Sequence, residues 1–263
     1  MVAHAPFDPH RFQTAARHYA ARPQYSPRLV ARVAEATFLT GDDRLMDLGC
    51  GPGNLTLAFA PLVGSVVAVD PEPEMLSLAE AAVGEMRRRI TLIQGSSNDL
   101  GPHFGTFKLV TIGRAFHWMD REDTLRRLDA VIVPEGAIAL FDVEQVQSAE
   151  TGWTTAYREI IERHADGKST WHGPGVERDE AVLLASPFSR LERFSAIDRL
   201  IIDGETLVDR ALSMSRTSPG RIGPDGVTAL SAEIRGLVAK VGTDGKLVEV
   251  IESEALLAWR PEA

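Results

Sequence analysis

A single cysteine, Cys50, is all the sequence has. No disulfide can close within the chain, which points to a reducing compartment and an expected cytoplasmic location. No apolar run reaches the length needed to cross a bilayer. The opening stretch MVAHAPFDPHRFQTAARHYA lacks the apolar core of a secretory leader. Base is scarcer than acid: 28 Lys and Arg face 37 Asp and Glu, for a formal charge of −9. That balance argues against a broad phosphate-binding surface, so nucleic acid is not an expected partner, and with no spanning run neither is a membrane. The 7 histidines show no ligand spacing, and beside one cysteine no metal site is expected. Internal repeats and low-complexity segments are also missing.

What remains is an ordinary globular chain of 263 residues, 44% hydrophobic and 25% charged, enough for one large domain. Its middle alternates strands with helices. Strands are expected at 44–48, 65–70, 90–94, 107–113 and 136–143, with helices at 54–63, 74–88 and 121–131. This alternation implies a parallel sheet covered on both faces. Before it, helices are expected at 10–21 and 27–38. After it come a helix at 149–165, a turn-rich loop, a short helix at 178–185 and a strand at 190–201. A helix at 205–214, a loop at 215–226, a helix at 227–241 and a last strand at 246–259 complete the chain.

The first strand runs into LMDLGCGPGNLTLAFA, residues 45–60. A strand that ends in glycines and enters a helix sets backbone N–H groups and a favourable dipole around a polar ligand. Gly49, Gly51 and Gly53 permit positive φ and close approach. Their spacing does not match the dinucleotide pattern, because Asn54 stands where a third small residue is wanted. It is not a phosphate-binding P-loop either, since no Lys-Ser or Lys-Thr follows. Asp70 ends the second strand about 20 positions on, where an acid accepts ribose hydroxyls. The expected ligand has a ribose without a pyrophosphate.

Taken together, LMDLGCGPGNLT, VAVDPEPEML, IQGSSNDL and FKLVTIGRAFHWMD resemble the successive motifs of class I S-adenosylmethionine-dependent methyltransferases. The likeness is to the branch called type 11, or trans-aconitate-methyltransferase-like. Tyr19-Ala-Ala-Arg22-Pro23 and His117-Trp118 carry that finer resemblance. It implies an α/β Rossmann-like doubly wound sheet of seven mostly parallel strands, the last one antiparallel. An N-terminal helical lid (1–40), a cofactor-binding core (41–145), a substrate-side helical insertion (146–189) and a C-terminal part completing the sheet (190–263) go with it.

The resemblance also implies roles. Gly49, Gly51 and Gly53 form the floor under the methionine of S-adenosyl-L-methionine, with Asp47 ordering the loop or meeting the cofactor amine. Asp70 holds the ribose, and Pro71 and Met75 flank the adenine. Ser96, Ser97 and Asn98 stand at the adenine edge, where Ser96 replaces an aspartate of the family. Arg114 offers its backbone carbonyl. Tyr19 and Arg22 close over the cofactor carboxylate, with Tyr25 shared toward the substrate. His117 is the candidate base, being the one well-placed group that titrates near neutrality. Trp118, Trp153, Tyr157 and Trp171 are candidates for the substrate wall, although Trp153 and Tyr157 share a helix face that packing alone would also explain.

The expected reaction is methyl transfer to a small molecule, with O-methylation of a carboxylate or hydroxyl favoured and S-adenosyl-L-homocysteine as product. The Asn-Pro-Pro-Tyr type tetrapeptide of nucleobase and protein-amide methylation is absent; the chain has Gly113-Arg114-Ala115-Phe116 there. Two alternatives stay open: a cofactor-binding protein without methyl transfer, such as a cyclase or regulator, and a methyltransferase acting on RNA or protein.

Overall fold

The computed structural model describes residues 14–167 and 178–262. Seven strands form one sheet: β1 Arg44–Leu48, β2 Ser65–Asp70, β3 Ile90–Gln94, β4 Phe107–Gly113, β5 Ile132–Gln145, β6 Arg190–Asp203 and β7 Lys246–Trp259. Their order is β3-β2-β1-β4-β5-β7-β6. The first five pair in parallel, and β7 runs antiparallel between β5 and β6. The expected seven-stranded, mostly parallel sheet is therefore present. Its chain path moves outward from β1 to β3, then returns to place β4 on the other side of β1. Ligands in open α/β sheets sit at such a reversal, beyond the carboxyl ends of the strands.

Side chains on β1 alternate between two cores because successive strand residues face opposite ways. Met46 and Leu48 join one cluster with Leu125 and Leu128 of α4, Arg121–Asp129, and with Val182 and Leu183 of a helix at Asp179–Leu184. Leu45 joins the other with Leu29 and Val33 of α1, Pro27–Ala36, Leu55 and Phe59 of α2, Asn54–Phe59, and Val83 of α3, Pro73–Val83. α1 is thus part of the layer covering the sheet. The segment that reaches toward the cavity described below is a short 3-10 helix, Ala16–Ala21, packed on α7, Gly204–Leu212. The helix expected at 10–21 begins outside the described residues, and its described part is 3-10.

A third core lies beyond the sheet proper. α5, Trp153–His164, packs with α7 and α8, Pro219–Val241, around Tyr157, Ile160, Leu207, Leu230 and Ile234; the short helix Asp179–Leu184 is α6 in chain order. Residues 219–226, expected as loop, are the start of α8. Pro219 occupies its first turn, where a missing N–H costs nothing. The helix breaks at Gly223 (φ 69°, ψ 174°) and resumes through Pro224.

Candidate active site

The site gathers where β1 and β4 end side by side. Gly49 has φ +73° and Gly51 has φ +53°, left-handed values that suit glycine. Gly49 N and Cys50 N donate to Val69 O at 2.8 and 3.0 Å, fastening the loop to β2. A Cβ on Gly49 would stand 2.5 Å from Ala115 Cβ, so the loop packs directly on the turn after β4. A Cβ on Gly51 would meet nothing within 4 Å: it would project into open space, as a cradle for a ligand requires. Gly53 also takes positive φ, 89°, and N-caps α2.

Two acids brace this loop. Asp47 is buried; its Oδ2 accepts from Thr56 N at 2.9 Å and Thr56 Oγ1 at 2.6 Å, and its Oδ1 from Thr111 Oγ1 at 3.0 Å. It thus joins β1 to α2 and β4. Burial pushes its carboxyl up to about 6, against the opposing pull of those hydrogen bonds. Asp70 accepts from Gly51 N at 2.8 Å through Oδ2 and from Glu72 N at 2.9 Å through Oδ1. Burial raises its carboxyl as well. A carboxylate oxygen has more than one acceptor direction, so both oxygens retain capacity for ribose hydroxyls.

Two cavities meet here. A recess of ≈ 20 Å³ is lined by Asp47, Gly49, Gly51, Asn54, Tyr25 and Arg114, among others. A larger cavity of ≈ 660 Å³ opens beside it. Tyr19 and Arg114 line both. The larger cavity has an apolar floor from Ile112, Phe116, Leu140, Phe141 and Leu256, and His117 and Trp118 stand on it. These two rings lie 4.4 Å apart in the 3-10 turn Phe116–Trp118. Its far wall is charged. Arg121 pairs with Asp179 at 2.9 Å, Arg178 with Glu180 at 2.7 Å, and Arg193 with Glu180 at 2.5 Å and with Glu254.

The remaining expected residues fall in three groups. Tyr25 is buried against β4, with its hydroxyl in hydrogen-bonding reach of Arg114 and pushed up to about 12 by burial. A Cβ on Gly113 would come within 2.5 Å of that hydroxyl, so this glycine makes room for the tyrosine. Arg22 lies over the Tyr19 ring at 4.3 Å and donates to Ser213 Oγ at 3.0 Å and Ser213 O at 2.8 Å. Burial lowers its guanidinium.

Pro71, Met75, Ser96, Ser97 and Asn98 line neither cavity. They sit along the carboxyl ends of β2 and β3, beside Asp70. Ser96 caps the 3-10 turn Ser97–Asp99: its Oγ accepts from Asn98 N at 3.3 Å, and Asp99 Oδ2 accepts from Ser96 N at 2.7 Å. Asp99 is thereby turned back on its own turn.

Trp153 and Tyr157 belong to the third core and not to the lining of either cavity. Trp153 Nε1 donates to Val248 O at 2.8 Å, and Tyr157 Oη donates to Leu207 O at 2.9 Å. Packing takes the face they share. Trp171 lies outside the described residues. Sequence reading overlooked Asp142, Arg193 and Glu254 on the cavity wall. They come from long strands whose register with β7 decides which side chains reach it, and no local spacing reveals that.

Comparison with known proteins agrees with this architecture. Residues 45–136 match the profile of a methyltransferase domain. An uncharacterized methyltransferase of Mycobacterium tuberculosis is 28% identical over 203 residues, 76% of this chain and 75% of the relative. Demethylmenaquinone methyltransferase of Lactobacillus johnsonii is 29% identical over 124 residues, 44% of this chain and 51% of the relative. Among solved structures, the [4+2]-cyclase SpnF superposes with TM-score 0.57 at 16% identity, covering 97% of this chain and 95% of that one. A methyltransferase from Geobacter sulfurreducens in complex with S-adenosyl-L-homocysteine gives TM-score 0.51 at 12% identity, covering 94% and 98%. At these identities the structural likenesses speak for the fold alone. Among the described residues no helix is long and apolar enough to cross a membrane, and no group of three or more His, Cys, Asp or Glu is placed to hold a metal. With the glycine loop, the acid after β2 and the strand order all in place, the sequence matches support a class I S-adenosylmethionine-dependent methyltransferase.

Proposed function

We propose that the chain binds S-adenosyl-L-methionine across the β1–β4 reversal and methylates an oxygen of a small molecule held in the larger cavity. The residues fit the cofactor. Gly51 leaves open space where a Cβ would stand, and Asp70 closes the same loop with acceptor capacity to spare. Gly49, Gly51 and Asp47 would lie along the methionine part, Asp70 at the ribose, and Pro71, Met75 and Ser96 to Asn98 toward the adenine. When bound, the cofactor supplies an electrophilic methyl on a sulfonium.

The chain's own part is positioning and exclusion of water. The floor of Phe116, Leu140 and Phe141 dries the space beside the glycine loop, and the ion-paired wall opposite fixes its size. A carboxylate acceptor needs no base. A hydroxyl does, and His117, on the cavity surface at the end of β4, is the residue that would take its proton.

One observation carries the small-molecule reading: a cavity of ≈ 660 Å³, within the usual range of small-ligand sites, meets the glycine-loop recess at shared residues. The test is methyl transfer from labelled S-adenosylmethionine to panels of hydroxylated and carboxylic small molecules, with bulk RNA and protein alongside. Label in a small molecule, with turnover of hydroxyl acceptors reduced by His117→Ala, is the expected result. Label entering only macromolecules contradicts the reading.

A further inference from the structure

Several arginines line the larger cavity; Arg114 reaches the Tyr25 hydroxyl, and the others are more fully engaged. Arg121, Arg178 and Arg193 pair with wall carboxylates. Arg22 spends its Nε and Nη2 on Ser213. Arg114 differs. Its Nε is sealed from solvent and has no hydrogen-bond partner, and it forms no ion pair with any described carboxylate. A buried guanidinium donor left unmade is costly, and carboxylates are the groups its planar fork matches best.

The backbone around Arg114 is built to hold it there. Arg114 has φ +53°, a left-handed value that is strained for a residue with a side chain. Its N–H donates to Phe141 O at 3.0 Å, which locks the turn. The guanidinium lies over the Tyr25 ring at 5.3 Å. Burial disfavours its charge, yet the Tyr25 and Tyr19 hydroxyls and Asp142 outweigh this and hold it above its ordinary value. It therefore stays a cation at the one place where both cavities meet.

The geometry points to the Arg114 guanidinium as a carboxylate receptor at the junction of the two cavities. The carboxylate has two sources: the methionine end of the cofactor, from the glycine-loop side, or an acidic acceptor, from the larger cavity. In either case the strand-four turn carries the cation with a donor to spare, while the Arg22 donors at Ser213 anchor the N-terminal segment. This inference rests on the proposed cofactor site.

The experiment compares wild type, Arg114→Gln and Arg114→Lys by calorimetry, with folding checked by circular dichroism. Three probes are used: S-adenosylhomocysteine, 5′-methylthioadenosine, which lacks the amino-acid carboxylate, and benzoate added to S-adenosylhomocysteine-loaded protein. If the cofactor is the source, Arg114→Gln weakens S-adenosylhomocysteine by roughly tenfold or more and leaves methylthioadenosine unchanged. If the acceptor is the source, both nucleosides bind as in wild type and the benzoate response is lost. Arg114→Lys, which keeps the charge without the fork, falls between in either case. Equal binding of all three probes by wild type and Arg114→Gln overturns the inference. Failure of folded wild type to bind either nucleoside overturns the cofactor reading beneath it.

Discussion

The two halves of the chain build their polar interiors differently. Around β1, β2 and β4, buried acids hold backbone and hydroxyl donors: Asp47 on Thr56 and Thr111, Asp70 on Gly51 and Glu72. In the second half, charges hold charges. Arg210 of α7 is paired with Glu249 of β7 in nearly complete burial, and Gln145 Nε2 donates to the same carboxylate at 2.9 Å. Arg210 Nε also donates to Ala21 O at 3.1 Å, so this pair fastens the N-terminal segment to α7. The contrast separates two tasks. The first region leaves acceptor capacity and open space for a ligand, whereas the second directs its charged groups to joining elements.

Substitutions that affect one region and spare the other sharpen this contrast. The largest effect is expected at Glu249. Breaking a buried pair by removing one partner costs about 3–5 kcal/mol, so Glu249→Ala should lower urea-unfolding stability by that order. S-adenosylhomocysteine affinity should stay intact in the protein that remains folded; a loss under about 1 kcal/mol would show that the pair is not needed for joining these elements.

Asp47 comes next, through pH. Its carboxyl titrates near 6 when folded, against about 3.9 in an unfolded chain. The folded state then holds the proton more tightly, so this group favours folding fully below the unfolded value. That contribution falls as pH rises and is gone above about 6, a change of up to about 3 kcal/mol. Unfolding free energies at pH 4 and pH 7 should differ less in Asp47→Asn than in wild type by an amount of this order. Equal differences would contradict the assignment.

Gly49→Ala should cost about 1–3 kcal/mol through its positive φ, and the contact with Ala115 pushes the loop out of register with the β4 turn. Cofactor binding should fall with it, the opposite of the Glu249 pattern. Tyr157→Phe removes one buried bond to Leu207 O; about 1 kcal/mol is expected, with no change in methyl transfer. Arg199→Ala, at an exposed pair with Glu150, should leave both stability and binding unchanged.

The same division governs what the sequence revealed. β1, β2 and β4 are covered on both faces and β3 lies half-buried at the sheet edge; each is a short apolar run stopped by a glycine, an acid or a polar residue, and their bounds were legible. The glycine register and Asp70 likewise announced the cofactor edge, because backbone conformation demands those residue types. α8 was not legible at its start: Pro219, Gly220, Gly223 and Pro224 look like loop, and only Gly223 breaks the helical path there. Trp153 and Tyr157 were ambiguous in principle, since four-residue spacing shows that they share a face but not what meets it. Arg114 was read for its backbone. Its side chain became informative only with the burial of Nε and the committed partners of the other arginines. Gly113 held an unread signal: a strand-ending glycine that makes room for the Tyr25 hydroxyl.

The central claim is that the loop after β1 cradles the cofactor, and Gly51 tests it most directly. A Cβ there meets no protein atom within 4 Å and would enter the ligand's space; positive φ adds a strain of about 1–3 kcal/mol, so the variant's folding is checked by circular dichroism. Calorimetric titration of wild type and Gly51→Val with S-adenosylhomocysteine is the measurement. Clear binding by wild type and its loss in a folded Gly51→Val is the result expected. Equal binding by the two, or none by folded wild type, would contradict the account.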